Sequence, residues 1–320
     1  MRVIESIPLA DIEAARRRLA GLALRTPLVR LNVDDAPAEI WLKLENLQPI
    51  GSFKLRGAVN AMATAAPEAL ARGVWTASAG NMAQGVAWQA RRLGLACTVV
   101  APDHAPQVKL AAIRRLGARV VTVPFAQWWH ALVEHAHPGM DGLFIHPVSD
   151  AAVIAGNATI GVEIAEDLAD VEAVLVPYGG GGLSCGIAAA LRELRPATRV
   201  FACEVETAAP LAASLAAGSP QSIAHTPSFV DGIGGRSVLE EMWPLASTLL
   251  AGSIVVSLEA IAAAIRLLAE RRHVIAEGAG AASLAGALTG RAGSGRLVCI
   301  VSGGNLDVAT LATILQGRVP

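Results

Sequence analysis

Lys54 stands in the stretch Ser52-Phe53-Lys54-Leu55-Arg56-Gly57, shortly after the apolar run 40–44. A lysine at the mouth of a strand loses charge by desolvation and becomes a nucleophilic amine, which is what a Schiff base requires. Alone, the hexapeptide also describes an ordinary solvated lysine. A second segment changes its meaning. Gly179, Gly180, Gly181 and Gly182 follow Pro177-Tyr178, between an apolar run and a helical pattern starting near Ser184. Four consecutive glycines let successive backbone N–H groups turn toward one anion, and the following helix adds its positive end. The dinucleotide spacing G-x-G-x-x-G fails here, because its third position falls on Cys185 or Ser184, and no P-loop lysine follows. A monophosphate therefore fits better than a pyrophosphate or a nucleoside triphosphate. Ser78-Ala79-Gly80-Asn81-Met82-Ala83-Gln84 joins another strand to a helix. Its free amides, with Ser78, Asn81 and Gln84, suit a substrate carboxylate or a phenolic oxygen, although Ser78 or Asn81 could equally be a plain N-cap. Ser302, in Ser302-Gly303-Gly304-Asn305, could offer a hydroxyl to a neutral heterocyclic nitrogen or simply shape a turn.

Such groups need a scaffold that brings strand ends together. Nearly continuous apolar runs at 74–77, 97–101, 119–123, 173–177, 199–204 and 297–301 alternate with helical patterns at 81–93, 107–116, 126–137 and 184–194. This predicts an α/β fold of open, mostly parallel sheets with helices on both faces and right-handed crossovers. Such sheets bind ligands at the carboxyl ends of their strands, where the glycines and polar residues above are found. No linker or repeat interrupts the chain. The pattern divides it into a large lobe made of residues 1–72 and 147–320 and a smaller lobe of residues 73–146. The alanine-rich stretch 208–217 reads as helix.

The composition removes several function classes. The chain has 320 residues, 53% hydrophobic and 17% charged, with a formal net charge of -1. That balance gives no electrostatic case for nucleic acid or an anionic membrane as partner, and no apolar run is long enough to span a bilayer. The N-terminal residues lack the apolar core of a secretory leader, and no regulatory domain is expected beyond Leu315. Cys97, Cys185, Cys203 and Cys299 show no paired spacing and read as reduced, buried small hydrophobes, which suits the cytoplasm. The seven histidines show no metal-ligand spacing; His130, His135 and His137 read as a surface face, and no metal is expected.

Taken in order, these segments resemble the fold-type II pyridoxal-phosphate enzymes, tryptophan synthase β-like in architecture. The nearest likeness is to the serine/threonine dehydratase (ammonia-lyase) branch. The likeness runs through Arg25-Thr26-Pro27-Leu28, Lys43-Leu44-Glu45-Asn46-Leu47-Gln48-Pro49, the Lys54 segment, the Ser78 loop, His146-Pro147, Ile154-Ala155-Gly156, the four glycines, Asp231-Gly232-Ile233, Glu277-Gly278-Ala279-Gly280 and Ser302-Gly303-Gly304-Asn305. The resemblance implies pyridoxal 5'-phosphate as cofactor and Lys54 as its Schiff-base lysine and catalytic base. Phe53 would pack near the ring and Asn81 would meet the 3-hydroxyl. Gly179, Gly180, Gly181 and Gly182 would hold the phosphate, and Ser302 would face the pyridine nitrogen. Ser78, Ala79, Gly80, Asn81, Met82, Gln84 and Gly232 would contact the substrate. The implied reaction is β-elimination from threonine or serine, giving a 2-oxo acid and ammonia, in a homodimer acting on a small-molecule substrate. Alternatives on the same fold are dehydration of 3-phenylserine or 3-hydroxyaspartate, racemisation, and β-replacement; a non-catalytic phosphate-ligand sensor is a further one.

Some positions depart from the family. Ala79 stands where racemases of this fold carry a proton-bearing serine. Met82 replaces the usual histidine and is expected to reshape the substrate pocket. Arg236 could meet a second carboxylate or be a surface cation. Glu204 matches an acid that some relatives use for a divalent cation, but the later partner position is Pro210.

Overall fold

The computed structural model describes residues 3, 4 and 6–320. Met1, Arg2 and Glu5, part of the segment read as leader-free, lie outside the described residues. Among the described residues, ten strands form two sheets. The larger sheet contains β1 (Leu28–Arg30), β2 (Glu39–Lys43), β7 (Val171–Pro177), β8 (Arg199–Val205), β9 (Gly252–Val256) and β10 (Arg296–Ile300), in the order β1-β2-β10-β7-β8-β9. Only β1 runs antiparallel to its neighbour. The smaller sheet is wholly parallel, in the order β5-β4-β3-β6, from β3 (Val74–Ala77), β4 (Cys97–Pro102), β5 (Arg119–Val123) and β6 (Leu143–Phe144).

The apolar runs are explained by burial on both faces. Along β7, Val174 and Val176 enter one apolar cluster while Ala173 and Leu175 enter another; along β10, Val298 and Ile300 join the first and Leu297 and Cys299 the second. The smaller sheet repeats the pattern, with Val74, Cys97, Val99 and Ala101 on one side and Trp75, Ala77 and Val100 on the other. Period-two side chains on a doubly covered sheet face apolar layers on both sides, and the buried polar residues of these strands are few, among them Lys43, Thr76 and Glu204.

Helices Asn81–Leu93 and Ser184–Leu194 have the predicted bounds, and the alanine-rich stretch folds as Pro210–Ala217. The predicted helix 126–137 is shorter, Phe125–Glu134, because His135 takes a left-handed conformation (φ 56°) that ends it. The strand β9 escaped the sequence reading. It is an edge strand with a half-buried, alternating pattern starting at Gly252-Ser253, not a continuous apolar run. The helix Ala151–Asp167 also went unread, although Asp150 caps it by accepting from the Ala152 and Val153 amides. All four cysteines are buried and unpaired. Burial pushes the Cys97 and Cys185 thiols up to about 12, so they stay protonated and unreactive.

Strand order does the positioning. β10 lies between β2 and β7, so the exits of three strands distant in sequence become adjacent. After β2 the chain reaches Lys54, after β10 it reaches Ser302, and after β7 it enters the four glycines.

Candidate active site

Lys54 is the first residue of the helix Lys54–Thr64. The chain reaches it from β2 through a short turn in which Gly51 adopts φ 72°. Ser52 then forms an antiparallel bridge with Gly303, and the Phe53 amide donates to the Ser302 carbonyl at 3.0 Å. The exits of β2 and β10 are thereby joined through backbone, which fixes where the lysine begins. Lys54 Nζ lies 5.1 Å from the Phe53 ring centroid and donates to the Pro147 carbonyl at 2.6 Å. The residue keeps some surface open to the cleft, yet protein surrounds the ammonium closely enough for desolvation to push it down to about 8. Near that pH a substantial fraction is the free amine.

The four glycines face this lysine's surroundings through Val148, the residue after Pro147. A Cβ on Gly180 would come within 2.6 Å of a Val148 methyl, and one on Gly182 within 2.9 Å of the Val148 carbonyl. Gly181 has φ +95°, and a Cβ on Gly179 would approach the Gly232 carbonyl at 3.2 Å. Side chains are thus excluded for two separate reasons, close approach and backbone conformation. Among the described residues, none of the N–H groups of Gly179, Gly180, Gly181 and Gly182 donates to a protein acceptor. Four free amides ahead of the helix Ser184–Leu194 form a cradle for an anion. Because the Val148 carbonyl has little room to give, Gly182→Ala should weaken phosphate-group affinity about tenfold, the loss of roughly one charged hydrogen bond; equilibrium titration of apoprotein with pyridoxal phosphate measures it.

The smaller sheet supplies the opposite wall. β3 ends at Ala77, and Ser78, Ala79, Gly80 and Asn81 are all half-buried, as is Gln84 one turn into the helix. The Ser78 hydroxyl accepts from the Gly80 amide at 3.2 Å, closing a small turn. Gly80 has open space where its side chain would be. Asn81 is held on both sides: its Nδ2 donates to Glu277 Oε1 at 2.7 Å, and its Oδ1 accepts from Asn305 Nδ2 at 2.7 Å. Gly232 comes near this corner, where an added Cβ would lie 3.8 Å from Glu277 Oε1. Met82 requires a correction. Its side chain is buried in the apolar cluster with Ala58, Ala83 and Val86, so it packs the core beside the smaller sheet. At the start of an amphipathic helix, the residue after Asn81 falls on the inward face. Arg236 lies 5.4 Å from the Phe125 ring, a cation–π contact with the start of the helix Phe125–Glu134.

Behind Lys54 is a buried ionic network whose members were noticed only as motif letters. Arg56 lies inside the protein, donating to Glu45 Oε1 and Oε2 at 2.8 Å each and to Glu163 Oε1 at 2.6 Å and Oε2 at 3.0 Å. Lys43 completes it with Glu163 Oε2 at 2.7 Å and the Thr26 carbonyl at 2.6 Å. Burial opposes ionisation of Glu45, but the charge and hydrogen bonds of Arg56 outweigh it and hold the carboxyl below its ordinary value. Lys43, Glu45 and Arg56 sit at strand and helix ends in otherwise apolar surroundings, and charged residues so placed in the sequence were the available signal.

His135, His146 and Glu241 bring ligand atoms within 4.8 Å of one another. They do not make a three-ligand set. His146 Nδ1 accepts from the Val148 and Ser149 amides at 3.0 and 2.6 Å, which occupies its lone pair and leaves the proton on Nε2. Burial, with repulsion from His135 and Lys54, pushes this imidazole down to about 3, so it stays neutral. The turn it organises carries Pro147 and Val148 and so aims the carbonyl that meets Lys54. His135 and Glu241 border a cavity of about 600 Å³ beside the helix Phe125–Glu134, which none of Lys54, Asn81, Ser302 or the four glycines lines. Glu204 is also engaged: its oxygens accept from the Leu211 and Ala212 amides at 2.8 Å each and from the Ser253 hydroxyl at 2.6 Å. It caps the helix Pro210–Ala217, so Pro210 occupies a helix start.

A lysine amine with lowered charge, an anion cradle of backbone amides and a hydroxyl at the strand exit between them, on a two-sheet α/β scaffold, define an enzyme that works through an aldehyde-bearing phosphate cofactor. The chain belongs to the pyridoxal-phosphate dependent enzyme family, whose sequence model matches residues 19–303. It is 40% identical over 316 residues to an L-threonine ammonia-lyase of Geobacter sulfurreducens, covering 97% of this chain and 78% of the relative. Its fold matches the processed form of threonine deaminase isoform 2 from Solanum lycopersicum with TM-score 0.87 and 34% identity, covering 97% of this chain and 92% of that one. It also matches serine racemase from Dictyostelium discoideum with TM-score 0.86 and 32% identity, covering 94% and 99%. The residues present fit the cofactor: the four amides without protein acceptors are what a phosphate needs, and at Gly180 and Gly182 an added Cβ would collide with Val148.

Proposed function

We propose that this protein removes the β-hydroxyl and the amino group of L-threonine or L-serine, releasing the 2-oxo acid and ammonia. The observation that carries this reading is Lys54 Nζ, depressed toward neutrality and bonded to the carbonyl of Pro147, whose neighbour Val148 packs on the glycine cradle. The names of the relatives support the substrate class. When bound, pyridoxal phosphate supplies an aldehyde that takes the substrate amine and a ring that draws electrons from Cα. Lys54 would hold the cofactor covalently through Nζ. The N–H groups of Gly179, Gly180, Gly181 and Gly182 would hold the phosphate, Phe53 would pack against the ring and Asn81 would meet its hydroxyl. Ser302 would offer the ring nitrogen a hydroxyl, which cannot stabilise a full positive charge there as a carboxylate would. Lys54 Nζ would also be the base that takes the substrate's Cα proton. The Ser78 hydroxyl and the Ala79 and Asn81 amides, with Gln84, would orient the substrate carboxylate; the Ser78 and Gly80 amides already donate to the Val100 carbonyl and the Ser78 hydroxyl.

Ala79 favours elimination over racemisation. It stands in the half-buried substrate loop and carries no proton, so this position offers no second acid for the opposite face of Cα. The domain reading has similar support. Every strand of the smaller sheet comes from residues between 73 and 146, so we assign those residues to a substrate-binding lobe and residues 1–72 and 147–320 to the cofactor lobe. We further place the protein in the cytoplasm as a homodimer, a setting that suits four unpaired buried thiols.

Holoenzyme incubated with L-threonine, L-serine, 3-phenylserine and 3-hydroxyaspartate should release ammonia and 2-oxo acid fastest from the first two. Formation of D-isomer or of a β-substituted product without ammonia would overturn the assignment.

A further inference from the structure

We propose that Glu277 is a positioning residue: through Asn81 it fixes which way that amide faces the cofactor's ring hydroxyl, and its protonation loosens that hold. Four separate segments meet at this corner. Glu277 occupies the N-cap position of the helix Gly278–Leu288, yet its side chain makes no capping bond there. It reaches across to Asn81 Nδ2 instead. Asn305 Nδ2 donates both to Asn81 Oδ1 and to the Ile50 carbonyl, the latter at 2.9 Å. The three side chains form one directed chain: Asn305 gives to Asn81, and Asn81 gives to Glu277. An amide turned the other way would set Asn81 Nδ2 against Asn305 Nδ2, two donors facing each other.

The space around the chain is built for it. A Cβ on Gly303 would fall 2.4 Å from Glu277 Oε1 and 3.2 Å from Asn81 Nδ2, and one on Gly280 would fall 2.2 Å from the Gly303 carbonyl. The Glu277 amide donates to that same carbonyl at 3.0 Å. Asn81 retains one N–H and one lone pair, and an ionised Glu277 keeps the N–H side aimed consistently. A protonated Glu277 leaves Asn81 Nδ2 only a neutral, weaker acceptor, and the hold on the amide's orientation loosens.

Burial pushes the Glu277 carboxyl up to about 7, with the Asn81 hydrogen bond opposing part of that rise. The other charged groups facing this corner are Asp231, which adds to the rise, and Lys109, which opposes it; these two pair with each other. Lys54 begins the neighbouring helix. An acid whose folded value is raised contributes stability that is complete below its unfolded pKa and is lost as pH rises through the folded value. Apoprotein Tm should therefore fall as pH rises from about 4.5, the ordinary carboxyl value, through about 7, and Glu277→Gln should remove that part of the fall.

The inference rests on the pyridoxal-phosphate reading of the site, not on the substrate. The test titrates the visible absorption of the holoenzyme from pH 6 to 8.5 and measures pyridoxal phosphate affinity at both ends. Wild type should show an inflection near pH 7, the value at which the carboxyl ionises. Glu277→Gln, which still accepts from Asn81, should lose the inflection and bind cofactor within about threefold of wild type, while Glu277→Ala should bind about tenfold more weakly, as for one charged hydrogen bond. Asn81→Ala combined with Glu277→Ala should be no weaker than Asn81→Ala alone. An inflection that persists in Glu277→Gln, its absence from wild type, or undiminished affinity in Glu277→Ala would each overturn the proposal. If Glu277→Ala does not fold, the glutamine titration decides. Absence of ammonia from threonine, with these cofactor effects intact, would remove the substrate assignment alone.

Discussion

Lys54→Ala is expected to lower ammonia release by roughly a thousandfold or more, the scale set by removing a nucleophile that also serves as general base. The visible band that arises from attachment at Nζ should vanish, while the fold survives. Alanine begins a helix as readily as lysine, and the Lys54 side chain has one hydrogen-bond partner, the Pro147 carbonyl. The glycine cradle should still hold the phosphate, so the variant should bind pyridoxal phosphate noncovalently and release it on dialysis. The same amine dictates a pH dependence. Desolvation places its titration near 8 rather than at the ordinary lysine value. Covalent capture of cofactor by wild-type apoprotein should accelerate as pH rises through that value, because only the neutral amine attacks an aldehyde. Full ammonia release by a band-free Lys54→Ala enzyme would refute the mechanism, and a capture rate flat from pH 7 to 9 would refute the desolvated amine.

The separate pieces of this site could be read from the chain because each has a local cause. Four adjacent glycines, a lysine after a short apolar strand, and a Ser-Ala-Gly-Asn turn before an amphipathic helix carry their meaning within a few residues. What brings them together is not local. Lys54 and the glycines flank Ser302 because β10, formed by residues near the end of the chain, inserts between β2 and β7. No periodicity reports that pairing. Met82 shows the opposite limit: its type was noticed, but the turn on which Asn81 opens to the cleft rotates the next residue into the core. Glu277 appeared as the first letter of a Gly-Ala-Gly segment, and its partner Asn81 is 196 positions away. Long-range side-chain pairs of this sort leave a trace only when an acid or base stands in an otherwise apolar setting.

That trace is clearest at Arg56, and Arg56→Ala should be the most destabilising single change at the site. Arg56 is buried and makes bidentate contacts with both Glu45 and Glu163. Removing it leaves two carboxylates inside the protein with Lys43 as the remaining cation of the network, bonded to Glu163 and not to Glu45. Breaking a buried ion pair in this way costs about 3–5 kcal/mol, because the desolvation of the abandoned charge is no longer offset. Thermal unfolding should shift down by roughly 6–20 °C on the scale usual for large domains. Arg56→Lys should recover only part of the loss, since a single ammonium cannot span two carboxylates as a planar guanidinium does. The sign of the pH dependence is fixed by Glu45, whose carboxyl the arginine holds below its ordinary value. Its share of the stability is present at neutral pH and disappears as pH falls through the folded value, so wild type and Arg56→Ala should converge in strong acid. The effect reaches catalysis because Arg56 lies one residue beyond Leu55 on the helix that Lys54 begins, and it ties that helix to Glu45 on the chain leaving β2. A variant that folds should therefore show a lower kcat along with its lower Tm, whereas a surface arginine such as Arg192, exposed and paired only with its neighbour Glu193, should alter neither.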